Sequence, residues 1–358
     1  MFAPTRYLLW ARRFYGKVPF DLATSGMPAV PTSDLGAPAS FDDPHGWEKL
    51  RDAIARYNAV TPEEAIAALG TTHALWLAYA TLLAPGDDVL VEAPGYEPLE
   101  RIAEGVGARV VRFDRVASEK WAIDPARVER AMTPRTRLVV VSNLHNPSGA
   151  RASDDVLREV ARVAASRGAH LLVDEVYAPF DAFVGEDGVF HGSARRLAPN
   201  VVAVSSLTKC YGLGSDRFGW LLAPPDVVAR AEDAITASCG MLPLSHAHLG
   251  AHAFARIVPL AARARKLLGN KRARVAEWFA GRPDLTWSAP AEGLFGFATS
   301  SRAGDLTTVI EQGAASHGVL VAAGAFFGVP NGFRMSWSIA EDKLAEALSR
   351  LGEMLPRP

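Results

Sequence analysis

A lysine preceded by small hydroxyl side chains ends the segment "NVVAVSSLTK" at residues 200–209. Lys209 follows an apolar, β-branched run that is typical of a buried strand, with Ser206 and Thr208 before it and Arg217 eight residues after it. Near other positive charge and in partly apolar surroundings, a lysine has a depressed pKa and can act as nucleophile and base. Hydroxyl groups and an arginine can bind phosphate. The stretch therefore predicts a reactive lysine beside a phosphate site.

Further polar side chains follow other apolar runs that read as strands. These residues are Thr71 and Thr72 after "AIAALG", Tyr96 after "VLVEAPG", Asn146 after "VVVSNLH", and Asp174 and Tyr177 at the end of "LLVDEVY". In an open parallel sheet, ligands bind beyond the carboxyl ends of the strands. We therefore expect these side chains to meet in one cleft with Lys209.

The residue types indicate which ligand would bind in that cleft. Thr71 and Thr72 begin a helix, where N–H groups, hydroxyls and the positive end of the dipole suit a phosphate. Asp174 ends an apolar run and needs a cationic partner, which a protonated ring nitrogen would provide. Tyr96 can stack on a flat ring. A phosphate, an aromatic ring, a ring nitrogen and an imine-forming lysine together describe pyridoxal 5′-phosphate.

The elements that must position these residues alternate along the chain. Short apolar strands alternate with helices of 10 to 15 residues up to about residue 245, which predicts an α/β fold with a mostly parallel sheet between helices. Beyond it lie a helical segment near 246–280, interrupted by Pro259, and weaker strands and helices of a smaller α+β lobe. We predict an N-terminal segment (1–40) that packs with the small domain, a large cofactor-binding domain (41–245) and a region (246–358) with an interdomain helix and the small C-terminal domain.

Composition narrows the functional class. The 358 residues include 38 Lys and Arg and 39 Asp and Glu, so no global charge favours nucleic acid or a membrane surface. Two cysteines are too few for a disulfide framework, and no apolar run approaches the roughly 18 residues of a membrane span. Without a signal-peptide pattern at the N-terminus, we expect a cytoplasmic protein that binds neither nucleic acid nor membrane. We also expect no metal, since "HAHLGAH" lacks an evident third ligand.

Three motifs in this order, "NPSG", "DEVY" and "SSLTKCYGLGSDRFGW", resemble the class I/II aminotransferases among fold-type-I pyridoxal-phosphate enzymes. "GTTHALWLAYATLLAPGDDVLVEAPGY" is similar to the phosphate-binding helix and ring-stacking turn of that family, and "GVLVAAGAFFG…FRMSWS" to its C-terminal portion. The likeness runs from about residue 21 to the end. It implies a seven-stranded large-domain sheet, an amino acid and a 2-oxo acid as substrates, and a homodimer.

The resemblance also implies a role for each matching residue. Lys209 would form the Schiff base with the cofactor, Asp174 would pair with its ring nitrogen, and Asn146 and Tyr177 would hydrogen-bond its phenolate oxygen. The other cofactor contacts would be Tyr96 on the ring and Thr71, Thr72, Ser206, Thr208 and Arg217 on the phosphate. Arg334 would bind the substrate α-carboxylate, with help from Asn146 and the backbone at Gly26.

One position departs from the family pattern. The family often has a tyrosine ahead of the first large-domain helix, which reaches the phosphate of the partner subunit, whereas this chain has Phe41. The missing hydroxyl puts that contact in doubt.

The expected reaction is transamination with ping-pong kinetics, with Lys209 as the general base. The same scaffold supports other chemistry, and a C–S β-lyase is the main alternative. A remote alternative is a serine acyl enzyme, since residues 206–209 spell S-x-x-K, although the S-D-N and K-T-G elements of that class do not occur. A non-catalytic sensor domain is disfavoured, because the chain has no room for a DNA-binding module before residue 21.

Overall fold

A seven-stranded sheet forms the centre of the computed structural model, which describes residues 3–301 and 304–355. Its strands are β2 (Ala65–Leu69), β3 (Asp88–Ala93), β4 (Arg109–Asp114), β5 (Thr136–Ser142), β6 (His170–Asp174), β7 (Val201–Ser206) and β8 (Phe218–Leu222). Their order is β2-β8-β7-β6-β5-β3-β4, and β8 runs antiparallel to its two neighbours while every other pair is parallel. The mostly parallel α/β sheet predicted from the apolar runs is confirmed.

Helices cover both faces of this sheet and continue into a second lobe. They are α1 (Arg6–Phe14), α2 (Thr32–Leu35), α3 (Gly46–Asn58), α4 (Gly70–Leu82), α5 (Glu97–Gly105), α6 (Pro125–Ala131), α7 (Asp154–Ala165), α8 (Pro225–Cys239), α9 (Leu244–Phe254), α10 (Ile257–Leu268), α11 (Lys271–Ala280), α12 (Thr307–Ser316) and α13 (Glu341–Met354). None of them, within the described ranges, has the length and apolar character of a membrane span.

Strand β7 explains why the central strands are buried on both faces. All six of its residues are buried, and residues 201–204 alternate between the cores on the two sides of the sheet. Helix α7 shows the matching signal for a covering helix. The Ser153 hydroxyl accepts from the backbone N–H of Val156 at 3.3 Å and caps the helix, and its buried residues lie along one face.

The smaller lobe is built on a four-stranded antiparallel sheet. Its strands are β9 (Leu285–Trp287), β10 (Phe295–Ser300), β12 (Ala322–Ala323) and β13 (Gly332–Ser336), in the order β12-β13-β10-β9. The N-terminal segment reaches this lobe, because β1 (Phe20–Asp21) pairs in parallel with β11 (Val319–Leu320). The exact domain boundaries remain a prediction.

The helical segment that the sequence places near 246–280 is divided differently from the prediction. The first interruption lies at residues 255–256, between α9 and α10, and not at Pro259. Pro259 is the third residue of α10, where its missing N–H would have had no partner in the helix. The proline is therefore compatible with the start of a helix, and the prediction that it interrupts one was wrong.

Candidate active site

Lys209 lies just beyond the end of β7, in the wall of a cavity of about 300 Å³. Its Nζ atom is 3.5 Å from Ser25 Oγ and 6.0 Å from the ring centroid of Tyr177. Burial lowers the pKa of the Lys209 ammonium, and the positive charges of Arg334 and Arg217 lower it further. The lysine is thereby more readily available as a neutral amine, the form that attacks carbonyls and accepts protons.

The cavity around Lys209 is mostly aromatic and aliphatic. It is lined by Tyr7, Leu8, Ala11, Arg12, Tyr15, Ser25, Tyr96, Tyr177 and Lys209. The structure thus brings three residues predicted for the site, Tyr96, Tyr177 and Lys209, into one cavity, together with the helix α1.

Asp174 ends β6 with its side chain almost completely buried. Its Oδ1 atom accepts one hydrogen bond, from the backbone N–H of Val176 at 3.1 Å. Burial raises the pKa of the Asp174 carboxyl to about 7, and the charge of Glu92 contributes in the same direction. A carboxylate with so little compensation fits a cationic ligand group.

A cluster of hydroxyl groups lies between the N-terminus of α4 and the end of β7. Thr71 Oγ1 donates to Ser206 Oγ at 2.9 Å, and Ser206 Oγ lies 2.7 Å from Thr208 Oγ1. Thr72 is the next residue in the same first turn of α4. The cluster joins hydroxyl donors to the positive end of the α4 dipole, which suits a phosphate.

Gly70 lets Arg217 approach that helix end. Gly70 has a φ of +77°, and a Cβ atom added there would lie 2.3 Å from Arg217 Nη2. Arg217 has a φ of +61°, a backbone conformation that residues with a side chain seldom adopt. Gly70 was not predicted as a site residue, although a glycine directly before two threonines at a helix start is a usable signal.

Arg334 lies fully buried on β13 and is held by three acceptors. Its Nη1 atom donates to Asn146 Oδ1 at 2.8 Å, and its Nη2 atom donates to Tyr7 Oη at 2.7 Å and to the carbonyl oxygen of Ala23 at 2.9 Å. Its Nε–H is buried and finds no acceptor among the described residues. An unpartnered donor on a buried guanidinium fits a carboxylate ligand.

Besides Gly70, the sequence did not predict three further site residues, Tyr7, Tyr15 and Ser25. Tyr15 Oη lies 2.6 Å from Tyr7 Oη and donates to the Ala23 carbonyl oxygen at 3.0 Å, so these two tyrosines join the Arg334 network. Ser25 Oγ lies 2.8 Å from Tyr177 Oη. The aromatic content of "YLLWARRFYG" was a signal, but core packing explained it equally well at the sequence level.

The remaining predicted residues, Gly26 and Tyr96, lie next to Lys209 and to helix α1 respectively. Gly26 is beside Lys209, since a Cβ atom added at Gly26 would lie 3.5 Å from Lys209 Cδ, and the Met27 N–H donates to the Lys209 carbonyl oxygen at 2.8 Å. Tyr96 is the residue before α5, and its ring contacts that of Tyr7 edge-on at 5.8 Å.

Comparison with known proteins identifies the family. The family model described as "Aminotransferase class I and II" matches residues 16–351. The chain belongs to this family. It is therefore an enzyme, a transaminase that depends on pyridoxal 5′-phosphate.

Individual relatives of this aminotransferase differ in their named activities. It is 31% identical to the capreomycidine synthase of Streptomyces vinaceus over 97% of this chain and 92% of the relative. It is 29% identical to the aspartate/prephenate aminotransferase of Thermus thermophilus, over 88% of this chain and 83% of the relative. A solved Thermus thermophilus aspartate aminotransferase double mutant, 25% identical, aligns with a TM-score of 0.82 over 98% of this chain and 97% of the other.

The site of this aminotransferase fits pyridoxal 5′-phosphate. The buried Asp174 carboxylate has one hydrogen bond and suits the ring nitrogen, and the α4 terminus with its hydroxyl cluster and Arg217 suits the phosphate. Lys209 provides the amine in the adjoining cavity. In residues 3–301 and 304–355, no group of three or more His, Cys, Asp or Glu side chains is arranged to hold a metal ion.

Proposed function

We propose that this aminotransferase moves an amino group between an amino acid and a 2-oxo acid in two half-reactions with ping-pong kinetics. The observation that carries the proposal is the presence of an amine and a guanidinium beside one cavity. Lys209, with its lowered pKa, lines the cavity, and the buried Arg334 is hydrogen-bonded to Tyr7 in the same wall. A reactive amine and a carboxylate-binding guanidinium are the two groups that an α-amino acid requires.

When bound, pyridoxal 5′-phosphate supplies an electron sink that allows the α-C–H bond of the amino acid to break. Lys209 would be the Schiff-base lysine that anchors the cofactor. As a neutral amine, Lys209 would also be the general base that takes the α-proton of the amino acid. Asp174 would hold a proton on the ring nitrogen.

The other residues would bind and orient. Tyr96 would stack on the ring, and Asn146 and Tyr177 would hydrogen-bond its oxygen. The phosphate would be held by Thr71, Thr72, Ser206, Thr208 and Arg217. Arg334 would bind the α-carboxylate through its free Nε–H and its Nη groups, together with Asn146 and the backbone at Gly26.

The second candidate is a C–S β-lyase or another amino-acid-modifying enzyme on the same scaffold. Its broader form is favoured by the named activities of two similar proteins, the capreomycidine synthase and a solved PLP-dependent cyclase that is 25% identical with a TM-score of 0.82. These names indicate that the scaffold supports chemistry other than transamination. The serine acyl alternative gains no support, because Ser206 Oγ is hydrogen-bonded to Thr71 and Thr208.

We also propose that the enzyme acts as a cytoplasmic homodimer. Met241, with 74% of its surface exposed, lines a groove together with Trp47, Ile235 and Leu242. An exposed apolar side chain that is continuous with an apolar groove fits an interface between subunits. Analytical ultracentrifugation of the purified protein would report the mass, and a monomer at micromolar concentration would contradict the dimer.

The first experiment is a spectroscopic one. The purified protein with added pyridoxal phosphate is titrated with amino acids one at a time, without any oxo acid. We expect the absorption band of the bound cofactor to be replaced by that of pyridoxamine phosphate, with one equivalent of oxo acid released. A persistent band with continuous release of pyruvate and ammonia would establish the lyase instead. Initial-velocity lines that intersect, and do not run parallel, would contradict the ping-pong scheme.

Replacement of Lys209 tests the centre of the proposal. We expect Lys209→Ala to lower turnover at least about 10⁴-fold, because general base and cofactor anchor are lost together. Borohydride reduction followed by mass spectrometry should place the cofactor on Lys209 in the wild type and nowhere in the variant. Lys271→Met is the matched control, because Lys271 is a buried lysine whose Nζ bonds the carbonyl oxygens of Leu267 and Ile339, away from the cavity. An active Lys209→Ala enzyme would refute the assignment.

A further inference from the structure

Helix α1 forms one wall of the cavity that contains Lys209. Four of its residues line the cavity, at positions 7, 8, 11 and 12. This spacing describes one face of a helix. The neighbouring Leu9 and Arg13 are on another face, since Leu9 is half exposed and Arg13 lies 3.7 Å from Glu311.

The helix is held at a fixed distance from Arg334. Arg334 Nη2 donates to Tyr7 Oη and to the Ala23 carbonyl oxygen, and Tyr15 Oη lies between these two acceptors, 2.6 Å from Tyr7 Oη and 3.0 Å from the carbonyl. The four groups close a ring of hydrogen bonds. Because Tyr15 donates to Ala23, Tyr7 must donate to Tyr15, so every hydroxyl proton in the ring is assigned.

The N-terminal end of α1 is fixed as well. The Glu97 carboxylate accepts from the backbone N–H groups of Arg6 at 3.1 Å and Tyr7 at 2.7 Å. A carboxylate at this end satisfies free N–H groups and the helix dipole. If Arg334 binds the carboxylate of an amino acid, the α1 face would therefore contact the substrate side chain at a fixed distance from that carboxylate.

The face of α1 that lines the cavity combines apolar side chains with one cation. Leu8 and Ala11 present apolar surface, and Arg12 adds a cation at the exposed edge of the cavity. None of the nine lining residues carries a carboxylate. Within the described ranges, no carboxylate oxygen lies within 4.0 Å of the Arg12 guanidinium, so its charge is not neutralised by an ion pair.

We propose that α1 is the specificity element of this enzyme: Leu8 and Ala11 admit amino acids with apolar or aromatic side chains, and Arg12 disfavours cationic side chains. The inference rests on the proposed transamination and deepens it by naming the substrate class. It separates this chain from a relative such as the arginine–pyruvate transaminase of Pseudomonas aeruginosa, 27% identical, whose name states a cationic substrate. The physical reason is that a buried ammonium or guanidinium needs an anionic partner, and this wall offers a cation instead.

The charge preference is tested with a matched pair of substrates and a matched pair of variants. Norleucine and lysine have side chains of the same carbon length and differ in the ammonium group. For the wild type, we expect kcat/KM of the amino-acid half-reaction to be at least 100-fold higher with norleucine. Arg12→Glu should narrow this ratio about tenfold, whereas Arg13→Glu should leave it within twofold, because only Arg12 lines the cavity.

The apolar wall is tested in the same way. We expect Leu8→Ala to change the ratio of kcat/KM for phenylalanine and alanine at least fivefold, and Leu9→Ala to change it less than twofold. Thermal unfolding of each variant ensures that only folded enzyme is compared. Equal rates with norleucine and lysine in the wild type, equal effects of the two arginine variants, or equal effects of the two leucine variants would overturn the inference.

The experiments distinguish failure of the proposal for α1 from failure of the proposed transamination. If no amino acid converts the bound cofactor to its pyridoxamine form, transamination itself is refuted. If amino acids convert the cofactor with rates that do not depend on residues 8 and 12, transamination stands and the role of α1 is wrong.

Discussion

Glu92 and Asp174 are buried carboxylates at the carboxyl ends of two strands of the same sheet, β3 and β6, and their surroundings differ sharply. Glu92 Oε2 accepts from Arg115 Nη1 at 2.7 Å, and its Oε1 accepts from the Ser142 N–H at 2.7 Å and from the Ser142 hydroxyl. Asp174 accepts from the Val176 N–H. These two strand ends thus carry one closed charge pair and one open carboxylate.

The difference separates a structural role from a functional one. Burial raises the pKa of Glu92, but Arg115 and Ser142 oppose the rise. At Asp174 the opposing contributions are fewer, from the Val176 N–H and the charge of Lys209, and its pKa reaches about 7. The fold gives the buried carboxylate of Glu92 a full set of hydrogen-bond partners. The lack of such partners at Asp174 therefore indicates a place where a ligand binds.

The largest expected effect comes from breaking the closed pair. We expect Arg115→Met to lower the free energy of unfolding by about 3–5 kcal/mol, because Glu92 is left buried without its partner. Urea denaturation would measure the loss, and turnover per folded enzyme should stay within threefold of the wild type. The double variant Arg115→Met, Glu92→Leu is the control and should recover at least half of the stability. A single variant as stable as the wild type would mean that the pair has no structural role.

Neutralising the open carboxylate of Asp174 should weaken cofactor binding. In contrast to Arg115→Met, it should stabilise the cofactor-free protein. We expect Asp174→Asn to weaken cofactor binding about 10–100-fold, through loss of a charge-assisted hydrogen bond. In the cofactor-free protein the same change should stabilise the fold, by up to about 4 kcal/mol at pH 8.

The sign of this stability change follows from the pKa of Asp174. The unfolded carboxyl titrates near pH 3.9, whereas the folded one binds its proton up to about pH 7. Between these values the folded state holds more protons, so wild-type stability falls as pH rises and levels off above pH 7. The free energy of unfolding of Asp174→Asn should therefore exceed that of the wild type by an amount that grows from pH 4 to pH 7, as thermal unfolding would show. An advantage independent of pH would contradict the raised pKa.

The phosphate end of the site can be perturbed through the backbone. We expect Gly70→Ala to weaken cofactor binding about tenfold, because the new Cβ would lie 2.3 Å from Arg217 Nη2 and displace the guanidinium. Gly86→Ala is the matched control: Gly86 also has a positive φ, +90°, but a Cβ there would meet no described atom within 4 Å. Both variants should lose about 1 kcal/mol of stability through backbone strain, and only the first should lose cofactor affinity, measured by fluorescence titration.

The smallest expected effect concerns the dimer. Phe41 is 44% exposed and contacts His248 edge-on. If the homodimer brings it to the partner's phosphate, as the family resemblance implies, Phe41→Tyr should strengthen cofactor binding about threefold through one added hydrogen bond. Phe41→Leu should not. An unchanged affinity in Phe41→Tyr would place the ring outside the phosphate site.

Much of the large domain could be predicted because its signals are local. The branched apolar run of β7 indicates a buried strand, and Ser153 and Gly168 mark the start of helix α7 and the turn after it. Asp174 and Lys209 were predicted because each directly follows such a run. The reversed direction of β8 was not predicted, since a strand reads the same in either orientation.

The substrate side of the cavity is set by contacts that no local pattern encodes. Tyr7 meets Arg334 although 327 positions separate them in the chain. Tyrosines near the N-terminus are equally compatible with core packing, and only the folded arrangement distinguishes the two roles. Arg12 and Arg13 are neighbours of the same type, and their different surroundings depend on which face of α1 meets the cavity.

The pairing of Phe20 with Val319 in β1 and β11 has a consequence for the order in which the protein matures during synthesis. Leu22 bonds the backbone of Leu320 and Ser336, so the segment around Leu22 acquires these partners only after residues 320 and 336 have been synthesised. The Lys209 region can fold earlier, because domains generally form as the chain emerges. A nascent chain could then assemble the phosphate end of the site well before α1 is docked, and substrate selection would be the last property that the enzyme gains.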